Sequence, residues 1–260
     1  MVRGQKLLTA MATTLLAGAL LSACGGSGAP DLSSMSARSI VKLALKNLAH
    51  EPSASISLNE DLGNGALSAT ILSERNGDSS STLTLKNLDG ATGTIDVVSI
   101  GTFSAFKVDA AFASSVIANR ASSSGVPPRL LGTIATAIAN HWMAGSLFGK
   151  SGASGFAQIS KSITITNFEK SLRGATGSIT KIGLETLHGK KVMELRLGGP
   201  VVAVSADATP LPVALKPSTT SITIGLTYPG AVAIAKPKAA TSFAQLLSPE
   251  LAKVLAERGL

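Results

Sequence analysis

One cysteine, three histidines and fifteen carboxylates make up the main reactive inventory of this 260-residue chain. Cys24 is alone, so it forms neither an internal disulfide nor a cysteine-based metal cluster. Its thiol is a nucleophile that can accept a covalent group. His50, His141 and His188 have no metal-ligand spacing. Glu194 falls on a strand-like alternation and Asp207 in a turn-like segment, so they make no obvious acid–base pair. The serine-rich stretches hold no nucleophile elbow. There is no GxGxxG or Walker sequence, and Gly63-Asn64-Gly65 is a turn signal without phosphate-loop context. The expectation is a non-enzymatic protein with no cofactor and no metal.

The surroundings of Cys24 are more informative. Arg3 and Lys6 form a short basic start. Residues 7–21 are apolar and small, broken by Thr9, Thr13 and Thr14. This run is too short and too weakly flanked for a permanent transmembrane helix, and it reads as an export signal. Leu21-Ser22-Ala23-Cys24 resembles the lipobox of bacterial lipoproteins. That resemblance implies cleavage before Cys24 and a diacylglyceryl group on its sulfur. Residues 1–23 are therefore expected to be a signal peptide, with Cys24 the lipid-attachment site. The protein would be anchored through N-terminal acyl groups on the extracytoplasmic face of the bacterial membrane. Residues 24–32, rich in Gly and Ser, are expected to be a flexible tether.

Composition narrows the rest. Hydrophobic residues make up 45%, charged residues 15% and aromatics 3%. Adequate aliphatics with low charge exclude wholesale disorder. Few aromatics argue against a stacking-based nucleic-acid binder. The net charge of +8 falls to +6 once Arg3 and Lys6 leave. That excess suits anionic lipid headgroups, and it equally suits a plain basic surface.

The elements that must position any site follow from periodicity. Met35, Ile40, Val41, Ala44, Leu45 and Leu48 recur at helical spacing near 33–49. Arg38, Lys42 and Lys46 share another face, which either touches a membrane or is the solvated back of a packed helix. Beyond Pro52 the period becomes two: Ile56 and Leu58, then Leu67, Ala69 and Ile71, then Leu83 and Leu85, then Ile95 and Val97. Gly, Asn and Asp turns separate these runs, which predicts an antiparallel meander. Pro127-Pro128 precedes a helical stripe of Leu130, Leu131, Ile134, Ala135 and Ile138. Residues 144–155 read as a loop. Ile163 and Ile165 fit a strand, or Asn167 caps a short helix through Leu172; pattern alone leaves both open. Strand signals return from Ile182 and Leu184 to Val232 and Ile234. Ser248-Pro249-Glu250 opens an expected C-terminal helix at about 249–258. No linker divides residues 33–260, which read as a single domain.

A wider resemblance is carried by these landmarks. The lipobox, the helix near 33–49 and the successive hairpins resemble actinobacterial cell-envelope lipoproteins of the LppX/LprG-like group. Phe106-Lys107-Val108-Asp109-Ala110-Ala111-Phe112 is similar to one of that group's strands. The stretch before His141-Trp142-Met143 is similar to its helix leading to a tryptophan-bearing strand. Gly189-Lys190-Lys191-Val192-Met193-Glu194-Leu195 and Pro210-Leu211-Pro212-Val213 resemble its later hairpins. The resemblance implies an α+β fold: a curved, half-open antiparallel β-sheet, an incomplete barrel of LolA/LolB-like form, with helices on the concave face. It also implies an apolar cavity for acyl chains, and thus a lipid or glycolipid ligand. Phe103, Phe106, Phe112, Leu131, Ile134, Ile138 and Trp142 are the candidate lipid-binding residues. The alternative is a structural or interaction lipoprotein with a filled core and an envelope-protein partner.

Overall fold

The computed structural model describes residues 28–61, 63–124, 127–144, 163–174, 177–218, 222–247 and 249. Cys24, the expected signal segment, nearly all of the 144–155 loop and nearly all of the expected C-terminal helix lie outside these residues. Helix α1 (Ala37–Leu48) starts where Ser36 accepts a hydrogen bond from the Ser39 N–H, a side-chain N-cap. It buries Ile40, Ala44, Leu45 and Leu48 of the apolar stripe read from the sequence, whereas Val41 is half-buried and Met35 precedes the helix. The chain is tied down earlier than the tether expectation allowed. Leu32 is buried in the core, beside a turn in which Asp31 accepts from the Ser33 N–H.

Four alternating runs form β1 (Ser53–Asp61), β2 (Ala66–Glu74), β3 (Ser79–Leu88) and β4 (Ala91–Ile100), and β5 (Phe103–Val108) completes a meander. Helices α2 (Ala110–Ser124) and α3 (Pro128–Ile138) follow, with proline in the first turn of α3. The short strand β6 (Met143–Ala144) comes next. Helix α4 (Ile165–Arg173) settles the open segment as helical. Thr164, rather than Asn167, caps it by accepting from the Asn167 N–H. A second meander runs through β7 (Ile179–Leu187), β8 (Lys190–Leu197), β9 (Val201–Ser205), β10 (Pro212–Lys216) and β11 (Thr223–Thr227). Val232 and Ile234 form no strand; the Ile234 N–H donates to Glu74 Oε1 instead. The short β12 (Thr241–Ser242) and α5 (Phe243–Leu246) end the described chain.

The fold is α+β, with one twelve-stranded sheet that does not close into a barrel. Its order is β12-β6-β5-β4-β3-β2-β1-β11-β10-β9-β8-β7. The two meanders join where β1 pairs with β11, placing Ile56 opposite Leu226. Every pairing of these strands is antiparallel except β12 with β6. The pleat carries most of the core to one face. Across that face Ile56 lies opposite Ile71, Leu83 opposite Ile95, Phe106 opposite Val97 and Leu195 opposite Val202. Helices α2 and α3 cover its β2–β5 side, while α1 and α4 cover its β1 and β7–β11 side. The reverse face carries a smaller apolar group of Val192, Ala203 and Ala214, and, at its β4–β5 end, the buried Val98 and Ala105.

Candidate functional site

Five of the seven candidate lipid-binding residues come together. Phe106 on β5, Phe112 on α2, and Leu131, Ile134 and Ile138 on α3 belong to one apolar cluster between sheet and helices. Each is between 1% and 8% exposed. Phe103 and Trp142 are elsewhere. Along β5 the pleat turns Phe103 to the face opposite Phe106, where Lys236 Nζ lies 5.1 Å from its ring centroid. Met143 is buried in the cluster, so its neighbour Trp142 points away. Lys107 Nζ sits 5.2 Å over the Trp142 ring and 2.9 Å from Asp96. These two aromatics contribute to cation–π contacts on the outer face.

The helical side of the cluster is held by Asp109. Its Oδ1 accepts from the Phe112 N–H at 2.7 Å and its Oδ2 from the Thr94 N–H at 2.9 Å. The Asp109 N–H returns a bond to the Thr94 carbonyl at 3.0 Å. One carboxylate therefore caps α2 and docks it on β4. Gly93 permits this contact, because a Cβ there would lie 2.3 Å from the Phe112 nitrogen. Sequence reasoning missed both Asp109 as a cap and α2 itself. Alanine and serine dominate residues 110–124 and leave α2 no clear apolar stripe. The available signal was an aspartate placed just before a helix.

A second feature lies at the other end of the same face. Helices α1 and α4 and the start of β7 enclose an open groove of ≈ 590 Å³. Its floor is apolar, made by Val41, Leu45, Leu172 and Ile179. Arg38, Lys42, Lys46 and Arg173 ring it, and no carboxylate among the described residues lines it. The sequence marked the three cations of α1; only folding adds Arg173 from α4.

Arg75 fixes the two helices that make the groove. Its Nε donates to the Glu51 carbonyl at 2.9 Å, and its Nη2 donates to the Leu48 carbonyl. Its Nη1 meets Glu169 Oε2 on α4 at 2.7 Å. Glu169 also holds Arg173 at 2.6 Å and is 13% exposed. Burial alone would raise the Glu169 pKa, but hydrogen bonds and charge from Arg75 and Arg173 hold it below its ordinary value. A lowered carboxylate pKa stabilises the fold above the unfolded pKa, near ~4.3, and that gain is lost as pH falls through the folded value. Glu169→Gln is therefore expected to cost about 1–3 kcal/mol at neutral pH. The difference from wild type should shrink as pH drops below ~4.3. Urea unfolding of both proteins across that range checks it; a pH-independent difference would contradict the ion-pair assignment. Elsewhere, Tyr228 donates to the Pro212 carbonyl at 2.5 Å; burial, then the Glu51 charge, raises its pKa far above the ordinary phenol value.

Among the described residues no group of three or more His, Cys, Asp or Glu side chains is placed to hold a metal ion. His50, His141 and His188 are all exposed. No helix among those residues is long and apolar enough to cross a membrane. No protein-family model matches the chain, and no curated protein matches it. Solved structures show distant likeness. LprF from Mycobacterium bovis is 10% identical, with 77% of this chain and 96% of that one covered at a TM-score of 0.46. An uncharacterized conserved protein from Thermus thermophilus is 8% identical, with 79% and 97% covered at a TM-score of 0.36. A chain from the Pseudomonas aeruginosa MucA/MucB complex is 12% identical, with 83% and 62% covered at a TM-score of 0.29.

Proposed function

We propose that this chain is a membrane-anchored extracytoplasmic lipoprotein that holds lipid acyl chains between its sheet and helices α2 and α3. The observation that carries the reading is the convergence of Phe106, Phe112, Leu131, Ile134 and Ile138 on one sheet face. In this reading the sheet curves around the helices as a half-open barrel. Support comes from helices gathered on one face and from a sheet that ends at β7 and β12. Parting α2 and α3 from the sheet would expose an aliphatic and aromatic wall to an acyl chain, with no covalent chemistry. Cys24 supplies the anchor, and residues 24–260 form the mature protein.

The low exposure of these five residues also favours the second reading, a filled core with an envelope-protein partner. Native mass spectrometry separates the two. After delipidation and reconstitution with envelope lipids, the carrier reading expects one retained lipid per chain. It also expects a cavity above ~300 Å³ in the loaded form. Ile134→Phe adds bulk at the centre of the cluster, at a cost of about 1–3 kcal/mol, and is expected to reduce lipid retention while the chain stays folded. Persistent absence of lipid around a solid interior would sink the carrier reading.

A further inference from the structure

We infer that the groove between α1 and α4, with the adjoining edge of β7, docks the protein body onto an anionic lipid bilayer. The groove combines two features that such a surface selects together. Its floor is aliphatic, and its rim carries Arg38, Lys42, Lys46 and Arg173 with no lining carboxylate among the described residues. Arg173 is paired with Glu169, which faces Arg75 on its other side. Arg38, Lys42 and Lys46 are exposed and make no ion pair among the described residues. Three such cations spaced four apart on one helix repel one another slightly in isolation. Phosphate headgroups relieve that repulsion, and each basic residue near an anionic surface adds to the attraction.

β7 extends the surface with aliphatic side chains. Among the described residues it is the last strand of the sheet, paired with β8 alone. Lys181 Nζ donates to the Ser33 carbonyl at 2.6 Å and the Met35 carbonyl at 2.8 Å, fastening β7 beside the start of α1. Immediately beyond it, the register shifts between Lys181 and Gly183. Ile182 and Leu184 are left 46% and 51% exposed, the exposed large hydrophobics of the described chain. Water is a poor partner for both, whereas the acyl boundary of a bilayer accepts them.

The position of the anchor brings the bilayer within range. Leu32 is buried beside α1, and Cys24 lies eight residues earlier. Eight residues reach at most about 28 Å when fully extended. An acylated Cys24 thus keeps this end of the body within a few nanometres of the headgroups. Unscreened attraction extends only ~8 Å at physiological salt, so tethering creates the encounters and the groove converts them into contact. The inference takes from the proposed function only the anchor at Cys24. It does not require acyl chains between the sheet and α2–α3.

Brominated-lipid quenching of a tryptophan introduced by Leu184→Trp tests it. The mature chain is held on vesicles through its acyl groups or, equivalently, through Cys24 coupled to a maleimide lipid. Tethering is then equal on every vesicle, whatever the state of natural acylation. On vesicles with about 30 mol% phosphatidylglycerol, quenching of the added tryptophan is expected to be about twofold stronger than on pure phosphatidylcholine. Raising salt from about 0.1 M to ~1 M should abolish the difference. Lys42→Glu with Lys46→Glu should abolish it too, with folding checked by circular dichroism. Equal quenching on both vesicle types overturns the inference, and so does quenching indifferent to salt. A change produced by polyglutamate and absent with vesicles overturns it in favour of an acidic protein partner.

Discussion

Cells producing the Cys24→Ala chain are expected to lose it from the membrane fraction, and fatty-acid labelling of the protein should fall to background. The thiol is the chain's sole sulfhydryl, so no second cysteine can rescue acylation. The expected anchor carries two acyl chains on one glycerol. A single myristoyl chain gives only marginal membrane binding, with an association constant of about 10⁴ M⁻¹, while each further buried methylene adds about 0.8 kcal/mol. Removing both chains therefore removes nearly all membrane affinity. The cationic groove cannot replace them under a high-salt wash, because its attraction is screened within ~3 Å at 1 M salt. Unchanged labelling of the alanine variant would reject Cys24 as the attachment site.

Gly93→Ala is expected to be the most damaging single methyl group in the described fold. The new Cβ would lie 2.3 Å from the Phe112 nitrogen, 2.4 Å from Asp109 Oδ1 and 2.8 Å from the Phe112 Cα. Two of these are backbone atoms and the third belongs to the capping carboxylate, so no flexible side-chain end can give way. Gly93 also sits at φ +134°, where an L side chain is strained. Relief requires α2 to lift from β4, breaking the Asp109 bonds to Thr94 and Phe112. A loss of about 3–5 kcal/mol is expected, read as a lower urea midpoint. Gly132→Ala is the control: nothing lies within 4 Å of its Cβ position, and helix α3 should gain slightly. If Gly93→Ala were as mild, α2 would not be held against β4 in the manner described.

Much of the fold is legible in local sequence. Period-two runs at Ile56, Leu67, Leu83 and Ile95 specify four strands, because a pleat sends alternate side chains to one face. Pro128 marks the start of α3 and the stripe through Ile138 marks its buried side. Alternation placed Ile182 and Leu184 on a strand, as β7 does, but it carried no sign that a register shift beside an edge strand leaves both exposed among the described residues. It misjudged Val232 and Ile234, where a long-range bond to Glu74 replaces a strand partner. Helix α2 was hidden because small residues pack closely without making a periodic hydrophobic signal.

By itself, then, the sequence determined the reactive inventory, the single cysteine behind a basic and apolar run, and the separate strands and apolar faces. Those depend on residue type and short spacing. Only the tertiary structure decided that β1 pairs with β11, joining two meanders into one sheet. It alone placed Phe106 inside and Phe103 outside, brought Arg173 to the cations of α1, and set Gly93 against Phe112. Each of these depends on which distant segments meet, and chain periodicity carries no information about a partner more than a hundred residues away or about the close approach of two backbones.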